Sequence, residues 1–199
     1  MTKQALLVFT KNPVAGKVKT RLAATIGDEA ALAVYQQLLL HTASVTASLP
    51  VDKFVFYSDH IGVEDTWQNN HYHKEVQQGK DLGERMNNAF AFIFRQGYNK
   101  AVIIGTDCPE LSTGLIMTAF VYLQTYDVVI GPAEDGGYYL LGLKEPQPQL
   151  FKNMKWSTSS VLPDTICSCE TSLLRYFLLP VLNDIDEEKD LHITKLHRP

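Results

Sequence analysis

Short, almost wholly apolar segments alternate with longer helical patterns, and this alternation limits the fold more than any other feature of the sequence. Ala101–Gly105 and Asp127–Gly131 have the composition of strands buried on both faces, as at the centre of a parallel sheet. The spacing of apolar residues predicts helices over Asp28–Ser48, Asp81–Gln96 and Ser112–Gln124. Together these patterns predict an α/β fold with a mostly parallel sheet. Three further segments are predicted strands: Gln4–Thr10, Lys53–Ser58 and Tyr138–Leu143.

The length and composition favour one globular domain over residues 1–199. A chain of 199 residues can bury one substantial core, and neither a repeat nor a linker divides it. Hydrophobic residues make up 45% and charged residues 20%, which argues against a disordered chain. Residues 60–80 are polar and are predicted to be irregular.

Charge and hydropathy exclude several classes of partner. The formal net charge of −4 disfavours a nonspecific nucleic-acid binder, which needs a basic face. No apolar run approaches the roughly 18–20 residues that span a bilayer, and Ala5–Phe9 is too short for a signal-peptide core. We therefore expect a cytoplasmic protein without a membrane or nucleic-acid partner. The three cysteines are an odd number and do not suggest a disulfide framework.

A basic segment follows the first predicted strand. Lys11, Lys17, Lys19 and Arg21 occur there without an intervening acid, and Gly16 shapes the loop. Ligands of such sheets bind at the carboxyl ends of the strands, and a phosphate chain needs clustered cations and exposed backbone N–H groups. The segment therefore predicts a phosphate site, although a solvated basic loop is the alternative. It matches neither the Walker A pattern nor GxGxxG.

Acidic residues follow the central strand and recur near the end of the chain. Asp107 comes directly after Ala101–Gly105 and is suited to a hard cation such as Mg²⁺; the alternative is a turn or helix-capping residue. Asp184 and Asp186 are two residues apart, so on an extended backbone they face the same way. Two converging carboxylates predict a bound cation, whereas the alternative is the acidic first turn of a helix.

Two polar segments have both a structural and a functional interpretation. Asp135-Gly136-Gly137 is a strong hairpin-turn signal, but Asp135 could also accept hydrogen bonds from ligand hydroxyls or act as a base. The hydroxyl cluster at 156–160 favours helix capping, with ligand contact as the alternative. Cap signals also occur at Asp28 and at Asp81, where Glu84 completes a capping-box pattern.

The order of these motifs resembles the nucleotide-diphospho-sugar transferase superfamily with the GT-A fold. Within it the sequence is most similar to the DUF2064 family, also called transferase 1 associated with radical SAM and selenodomain proteins. More distant similarity links it to phospholactate guanylyltransferase and molybdenum-cofactor guanylyltransferase. The matching stretches run from residue 9 to 191: FTKNPVAGKVKTRL, QGKDLGERM, GTDCPEL, GPAEDGGYYLLGL, WSTSSVL and DIDEEKDL.

The resemblance implies a three-layer α/β/α sandwich and assigns roles to residues. The 11–21 segment would cradle the phosphates of a nucleotide, and Mg²⁺ (or Mn²⁺) would be held by Asp107 with Asp184 or Asp186. The implied catalytic residues are Lys19, Arg21, Asp107 and Asp135. The implied nucleotide-binding residues are Lys11, Gly16, Lys17, Lys19, Arg21, Gly79, Asp81, Gly83 and Arg85. The turn Asp135, Gly136 and Gly137 would face the acceptor or a sugar.

The departures from the superfamily patterns bear on the reaction. Asp107 is followed by Cys108-Pro109, so the Asp-x-Asp of many glycosyltransferases is absent, and a single Asp with a distant C-terminal one looks more like the nucleotidyltransferases. The glycine-rich signature that the best-known nucleotidyltransferases carry after the first strand is absent too, and Lys-Thr-Arg-Leu stands there instead, so the donor class stays open. The leading expectation is nucleotidyl transfer from a nucleoside triphosphate to a phosphorylated small-molecule acceptor. The alternatives are glycosyl transfer from a nucleotide-sugar and a non-catalytic nucleotide-binding protein. A phosphatase or kinase is disfavoured because neither a Walker A loop nor a covalent nucleophile is present.

Overall fold

The computed structural model describes residues 3–193 and contains one sheet of seven strands. Their order across the sheet is β3-β2-β1-β4-β6-β5-β7. β6 pairs antiparallel with β4 and β5, and the remaining pairs are parallel. The strands are β1 (Gln4–Thr10), β2 (Asp52–Tyr57), β3 (His73–Val76), β4 (Lys100–Ile104), β5 (Val128–Pro132), β6 (Tyr138–Leu143) and β7 (Tyr176–Leu178).

The helices connect the parallel strands, and two of them begin at a capping side chain. The Asp81 side chain accepts a hydrogen bond from the Glu84 N–H, and the Ser112 hydroxyl accepts one from Leu115. Asp28, in contrast, is the first helical residue, and Gly27 occupies the cap position before it. The helices are α1 (Thr20–Ile26), α2 (Asp28–Ala47), α3 (Leu82–Arg95), α4 (Thr113–Tyr122) and α5 (Val161–Thr171), with 3₁₀ turns at Pro148–Phe151 and Glu188–Ile193.

Apolar side chains fill both faces of the sheet. Along β1, Leu6 and Val8 belong to one buried cluster, which includes side chains of α2 and α4. The intervening Leu7 belongs to a second cluster, which includes Phe90 and Ile93 of α3. Helices therefore cover both faces, and the predicted α/β fold with a three-layer α/β/α sandwich is confirmed.

Two strands were not predicted from the sequence. β3 lies within the segment 60–80 that was expected to be irregular, and it adds a parallel edge to β2. Its residues His73, Lys74 and Glu75 are polar because an edge strand is only half covered, so no apolar run marks it. β7 has three residues and forms the opposite edge.

Within residues 3–193, none of the helices combines the length and apolarity needed to cross a bilayer. Cys108 and Cys169 are buried and Cys167 is exposed, and all three are free thiols.

Candidate active site

A cleft of about 730 Å³ opens at the edge of the sheet where the parallel strands have their carboxyl ends. β1 and β4 end there, and the hairpin between β5 and β6 turns at the same edge. Segments distant in sequence thus contribute to one site. Of the residues singled out in the sequence, those lining the cleft are Lys11, Lys19, Arg21, Arg85, Asp107, Asp135, Gly137, Asp184 and Asp186.

Three of the remaining predicted site residues lie in the loop after β1 and at the start of α3, outside the cleft lining. Gly16 has a φ of +75°, and the following Lys17 is exposed and donates its N–H to the Val14 carbonyl. Asp81 caps α3. These residues shape the loop and the helix start that carry the lining residues.

The other three are glycines whose small size permits close packing. A Cβ at Gly79 would lie 2.7 Å from the Arg85 backbone nitrogen, and one at Gly136 would lie 2.5 Å from the Ser159 carbonyl oxygen. At Gly83 a Cβ would overlap the Trp156 indole. The structure thus gives all three a packing role beside the cleft.

The buried hydroxyl of Tyr35 ties the basic segment to the strand end that carries Asp107. It accepts a hydrogen bond from the Lys11 N–H at 2.9 Å and donates to the Lys11 carbonyl at 3.1 Å. It also lies 3.2 Å from the hydroxyls of Thr10 and Thr106. Tyr35 projects from α2 under both strand ends, so it fixes the positions of Lys11 and Asp107 relative to each other.

Tyr35→Phe is expected to lower turnover about tenfold and to destabilise the fold by about 1–2 kcal/mol, because it leaves several buried polar groups short of a partner. Tyr98→Phe is the matched control, since Tyr98 donates to Asp52 at 2.6 Å without lining the cleft. The control should show a comparable shift in urea unfolding with unchanged turnover. Equal turnover loss in both variants would contradict the positioning role.

Lys19 is a buried cation at the floor of the cleft. Its backbone is left-handed, with φ 49° and ψ 44°, and it directly precedes α1. The ammonium lies 2.5 Å from the Asp107 carboxylate and 4.0 Å from that of Asp186. Burial alone would lower the pKa of Lys19, but the charges of Asp107, Asp186 and Asp184 raise it above its ordinary value. Lys19 therefore carries its charge at any physiological pH.

Arg21 and Asp186 form a second ion pair beside the first. The Arg21 guanidinium donates to the Asp186 carboxylate at 2.8 Å. Asp186 is held in turn by Asp190, whose carboxylate accepts the backbone N–H groups of Asp186 and Glu187. The Asp186 carboxylate is thereby shared between two cations of the basic segment.

One backbone hydrogen bond holds the segment of Asp184 and Asp186 next to Asp107. The Ile185 N–H donates to the Asp107 carbonyl at 3.0 Å, and the Ile185 side chain is buried in a cluster with Leu22. Its neighbours Asp184 and Asp186 both line the cleft, as their spacing predicted. Burial, reinforced by the charge of Asp107, raises the pKa of Asp184 to about 7.

Asp184→Asn is expected to stabilise the metal-free protein by about 2–4 kcal/mol at pH 8 and much less at pH 4.5. The pKa of Asp184 in the fold is higher than in the unfolded chain, so its carboxyl lowers the free energy of unfolding as pH rises from about 4 to 7. Asparagine does not ionise, so the free energy of unfolding of the variant does not fall in this way as the pH rises. Urea unfolding at the two pH values tests this; a variant less stable than wild type at pH 8 would contradict it.

The carboxylates of Asp107 and Asp184 fit a divalent cation that needs only one or two ligands from the protein. Within the described residues, no three acidic, histidine or cysteine side chains converge as a ready-made metal cluster. Mg²⁺, however, is commonly bound through one or two carboxylates, with phosphate oxygens and water completing the shell. Asp107 is half-exposed to the cleft, and within residues 3–193 no group donates a hydrogen bond to the Asp184 carboxylate. These two acids can take that role.

The Asp135-Gly136-Gly137 segment is the turn of the β5–β6 hairpin. The Asp135 carboxylate accepts a hydrogen bond from the Gly137 N–H at 2.8 Å, and Gly136 has a φ of +87°. The turn interpretation is therefore correct, and Asp135 still lines the cleft as an exposed acid. Its charge contributes to the raised pKa of Asp184.

Several lining residues were not singled out as site residues from the sequence. Gln77, directly after β3, donates through its amide to the carbonyls of Thr10 and Phe56, and its side-chain carbonyl faces the Arg85 guanidinium at 3.5 Å. An edge strand was not predicted before Gln77. Tyr138 and Trp156 also line the cleft; both lie in stretches that match the family, but neither was given a role.

The sequence profile of DUF2064, described as uncharacterized proteins conserved in bacteria, matches residues 41–158. The chain belongs to the DUF2064 family. No curated protein matches its sequence.

Solved structures share the fold over nearly the whole chain. A protein of Desulfovibrio desulfuricans G20, provisionally named a nucleotide-diphospho-sugar transferase, is 34% identical with a TM-score of 0.86 over 94% of this chain and 84% of that one. A CMP:2-keto-3-deoxy-manno-octonic acid synthetase in complex with CTP is 9% identical, with a TM-score of 0.61 and 96% coverage of both chains. The 4-diphosphocytidyl-2C-methyl-D-erythritol synthase of Anaerococcus prevotii DSM 20548 is 8% identical, with a TM-score of 0.60, covering 96% and 94%. The last two show the fold alone.

Proposed function

We propose that this protein is a transferase that binds a nucleotide by its phosphates in the cleft. The observation that carries the proposal is the Lys19 ammonium, buried between the carboxylates of Asp107 and Asp186 with Arg21 beside it. Such an arrangement would offer phosphate oxygens a fixed positive charge and would offer a metal ion carboxylate ligands beside it. The name of the Desulfovibrio relative supports a transferase.

The phosphates would lie against Lys11, Lys19 and Arg21, with the backbone of the loop held in place by Tyr35. Arg85, on the wall formed by α3, would contact the nucleoside part. Mg²⁺ (or Mn²⁺) would be held by Asp184 and by Asp107, which is half-exposed to the cleft, because the Asp186 carboxylate is already hydrogen-bonded to Arg21. When bound, this ion would neutralise negative charge on the phosphate oxygens.

Nucleotidyl transfer is the reaction that the sequence motifs favour. An acceptor phosphate oxygen would form a bond to the α-phosphorus of a nucleoside triphosphate while the bond to the β-phosphate oxygen breaks and pyrophosphate leaves. The chain needs no nucleophile for this reaction. Its cations orient the phosphates and offset the charge that grows on the leaving group.

Glycosyl transfer is the second candidate, and the name of the Desulfovibrio relative favours it. There an acceptor hydroxyl oxygen would bond to the anomeric carbon of a nucleotide-sugar as the carbon–oxygen bond to the diphosphate breaks. The hydroxyl proton would pass to the Asp135 carboxylate, and Lys19 and Arg21 would hold the departing diphosphate. A non-catalytic protein would bind the nucleotide without releasing either product.

Thermal-shift measurements with ATP, CTP, GTP, UTP, UDP-glucose and GDP-mannose, each with and without MgCl₂, test the proposal. A ligand at a hundred times its Kd stabilises a fold by about 2.7 kcal/mol, which gives a clear rise in Tm. The best stabiliser is then incubated with a mixture of sugar phosphates and neutral sugars as acceptors, and the release of pyrophosphate or of nucleoside diphosphate identifies the bond that breaks. A panel in which no nucleotide raises the Tm would contradict the proposal.

A further inference from the structure

A second cavity opens at the edge of the sheet opposite the cleft. It has a volume of about 610 Å³ and lies where β4 begins and β6 ends. Its lining residues are Asn99, Lys100, Leu123, Gln124 and Lys144, and we call it the lysine cavity. The length of β4 separates it from the cleft, so it is not part of the site described above.

Lys100 is a buried cation without an acidic partner. It is the first residue of β4 and is 7% exposed. Among residues 3–193, no carboxylate pairs with its ammonium. Buried lysines are almost always paired with an acid, because an unpaired charge loses its hydration without compensation. The described part of the chain thus leaves a positive charge here without a counter-charge.

In that part of the chain, the Lys100 ammonium uses one of its three N–H donors. It donates to the Phe120 carbonyl of α4 at 3.4 Å, which is long for a hydrogen bond. That carbonyl is available because the end of α4 tightens, with the Gln124 N–H donating to the Val121 carbonyl at 2.9 Å instead. Two donors of a covered ammonium are left for another acceptor.

Lys144 adds a second positive charge beside the first. Ala101 pairs with Leu143 in the antiparallel ladder, so Lys100 and Lys144 are the next residues outward on neighbouring strands. Within residues 3–193 the Lys144 ammonium makes no hydrogen bond, and its contact is an ion pair with Asp127 at 3.7 Å. Burial and the charge of Lys144 together lower the pKa of Lys100. The two lysines therefore repel each other.

The acid that pairs with Lys144 is held mainly by another cation. The Asp127 carboxylate accepts hydrogen bonds from the Arg175 backbone N–H at 3.0 Å and from its guanidinium at 3.1 Å. These contacts with Arg175 hold the pKa of Asp127 below its ordinary value. Asp127 is thus shared between Arg175 and Lys144. These two cations and Lys100 outnumber it, so the group of four side chains has a net positive charge.

The remaining polar lining residues are neutral and exposed. The side-chain carbonyl of Asn99 accepts the Lys3 N–H at 2.8 Å, and its NH₂ group has no partner in the described chain. The Gln124 side chain makes no hydrogen bond in that part of the chain either. Because they are exposed, these amides do not indicate a ligand by themselves, but they can donate to one that binds the lysines.

We propose that the lysine cavity binds a phosphate-type oxyanion between Lys100 and Lys144. A phosphate group has enough oxygen atoms to accept from both ammonium groups and from a neighbouring amide at once, and its charge would offset the repulsion between the lysines. A carboxylate has only two oxygen atoms and would leave more of these donors unpaired. The group has two sources with the same chemistry, free inorganic phosphate or the phosphomonoester of a small molecule. The site is independent of the proposed function.

Amide NMR spectra of the full, isotope-labelled chain, titrated with sodium phosphate at an ionic strength held constant with NaCl, test the proposal. The side-chain amide resonances of Asn99 and Gln124 report on the cavity itself, so phosphate bound in the cleft does not give this signal. Glycerol 3-phosphate represents a phosphomonoester, and citrate represents a carboxylate. Lys100→Met and Lys144→Met each remove one cation. Lys152→Met, at an exposed lysine outside the cavity, is the control.

The expected result is a saturable shift of both resonances with a Kd of about 1 mM or below, and the tighter of the two phosphate compounds identifies the source. Lys100→Met and Lys144→Met should each weaken binding about tenfold or more, and Lys152→Met should leave it unchanged. Lys144 is only half-buried, so its variant keeps the test valid if Lys100→Met does not fold.

Three results would overturn the proposal. The resonances could stay unmoved at about 10 mM of either phosphate compound. They could move equally in wild type and in the folded lysine variants of the cavity. They could also respond to citrate at lower concentration than to either phosphate compound. Nucleotide binding in the cleft is measured separately by thermal shift, so its failure would not affect this result.

Discussion

Asp107→Asn is expected to lower turnover by about a thousandfold or more while the fold is retained. The Asp107 carboxylate pairs with Lys19 at 2.5 Å and contributes to the raised pKa of Asp184, so it is central to both proposed roles of the cleft. Asparagine keeps the shape but removes the charge that positions Lys19 and holds a divalent cation. Product release and the Mg²⁺-dependent part of the nucleotide thermal shift should both be lost.

Asp164→Asn is the matched control for this variant. Asp164 is exposed on the first turn of α5 and lies outside the cleft lining, so the same substitution should leave turnover and the Mg²⁺ response unchanged. Circular dichroism checks the fold of both variants. If Asp107→Asn retains wild-type turnover, the reaction does not occur at this edge of the sheet.

Lys19→Met is expected to lower turnover by about a hundredfold to a thousandfold and to destabilise the fold by about 1–3 kcal/mol. Methionine is similar in length and can remain buried, but it leaves Asp107 and Asp186 without their shared cation. The loss of stability should be larger at pH 8 than at pH 4.5, because Lys19 opposes the raised pKa of about 7 of Asp184, whose carboxyl is charged at pH 8 and neutral at pH 4.5. Urea unfolding and product release measure the two effects.

The same variant separates the two roles of the cation. With Lys19 gone, nucleotide affinity should fall, whereas Mg²⁺ added alone should bind about tenfold more tightly because a competing positive charge has been removed. Lys152→Met, at an exposed lysine outside the cleft, is the control. Unchanged nucleotide affinity in Lys19→Met would contradict the assignment of Lys19 to the phosphates.

The central part of the fold was predictable because its strands are buried. β1 and β6 have the predicted bounds, and β4 and β5 differ from the prediction by one residue at each end. Such strands must be apolar whatever their neighbours are, so the sequence alone marks them. The edge strands β3 and β7 are stabilised by pairing with one neighbour, and their sequences carry no equivalent signal.

The charged residues of the cleft were predictable for a different reason. Lys19, Arg21, Asp107, Asp184 and Asp186 follow strand ends or recur at short spacing, and the topology brings strand ends together. The supporting contacts could not be predicted, because they depend on tertiary packing. In the sequence, Tyr35 is indistinguishable from the other apolar residues of α2. The packing of Trp156 on Gly83 joins residues that are far apart in the sequence.

The most direct test of the account is a crystal structure of the protein with MnCl₂ and the nucleotide that gives the largest thermal shift. We expect an anomalous peak at about 2.1–2.2 Å from carboxylate oxygens of Asp107 and Asp184, with the phosphates in contact with Lys19 and Arg21. A nucleotide bound elsewhere, or a manganese peak that neither acid contacts, would contradict the account.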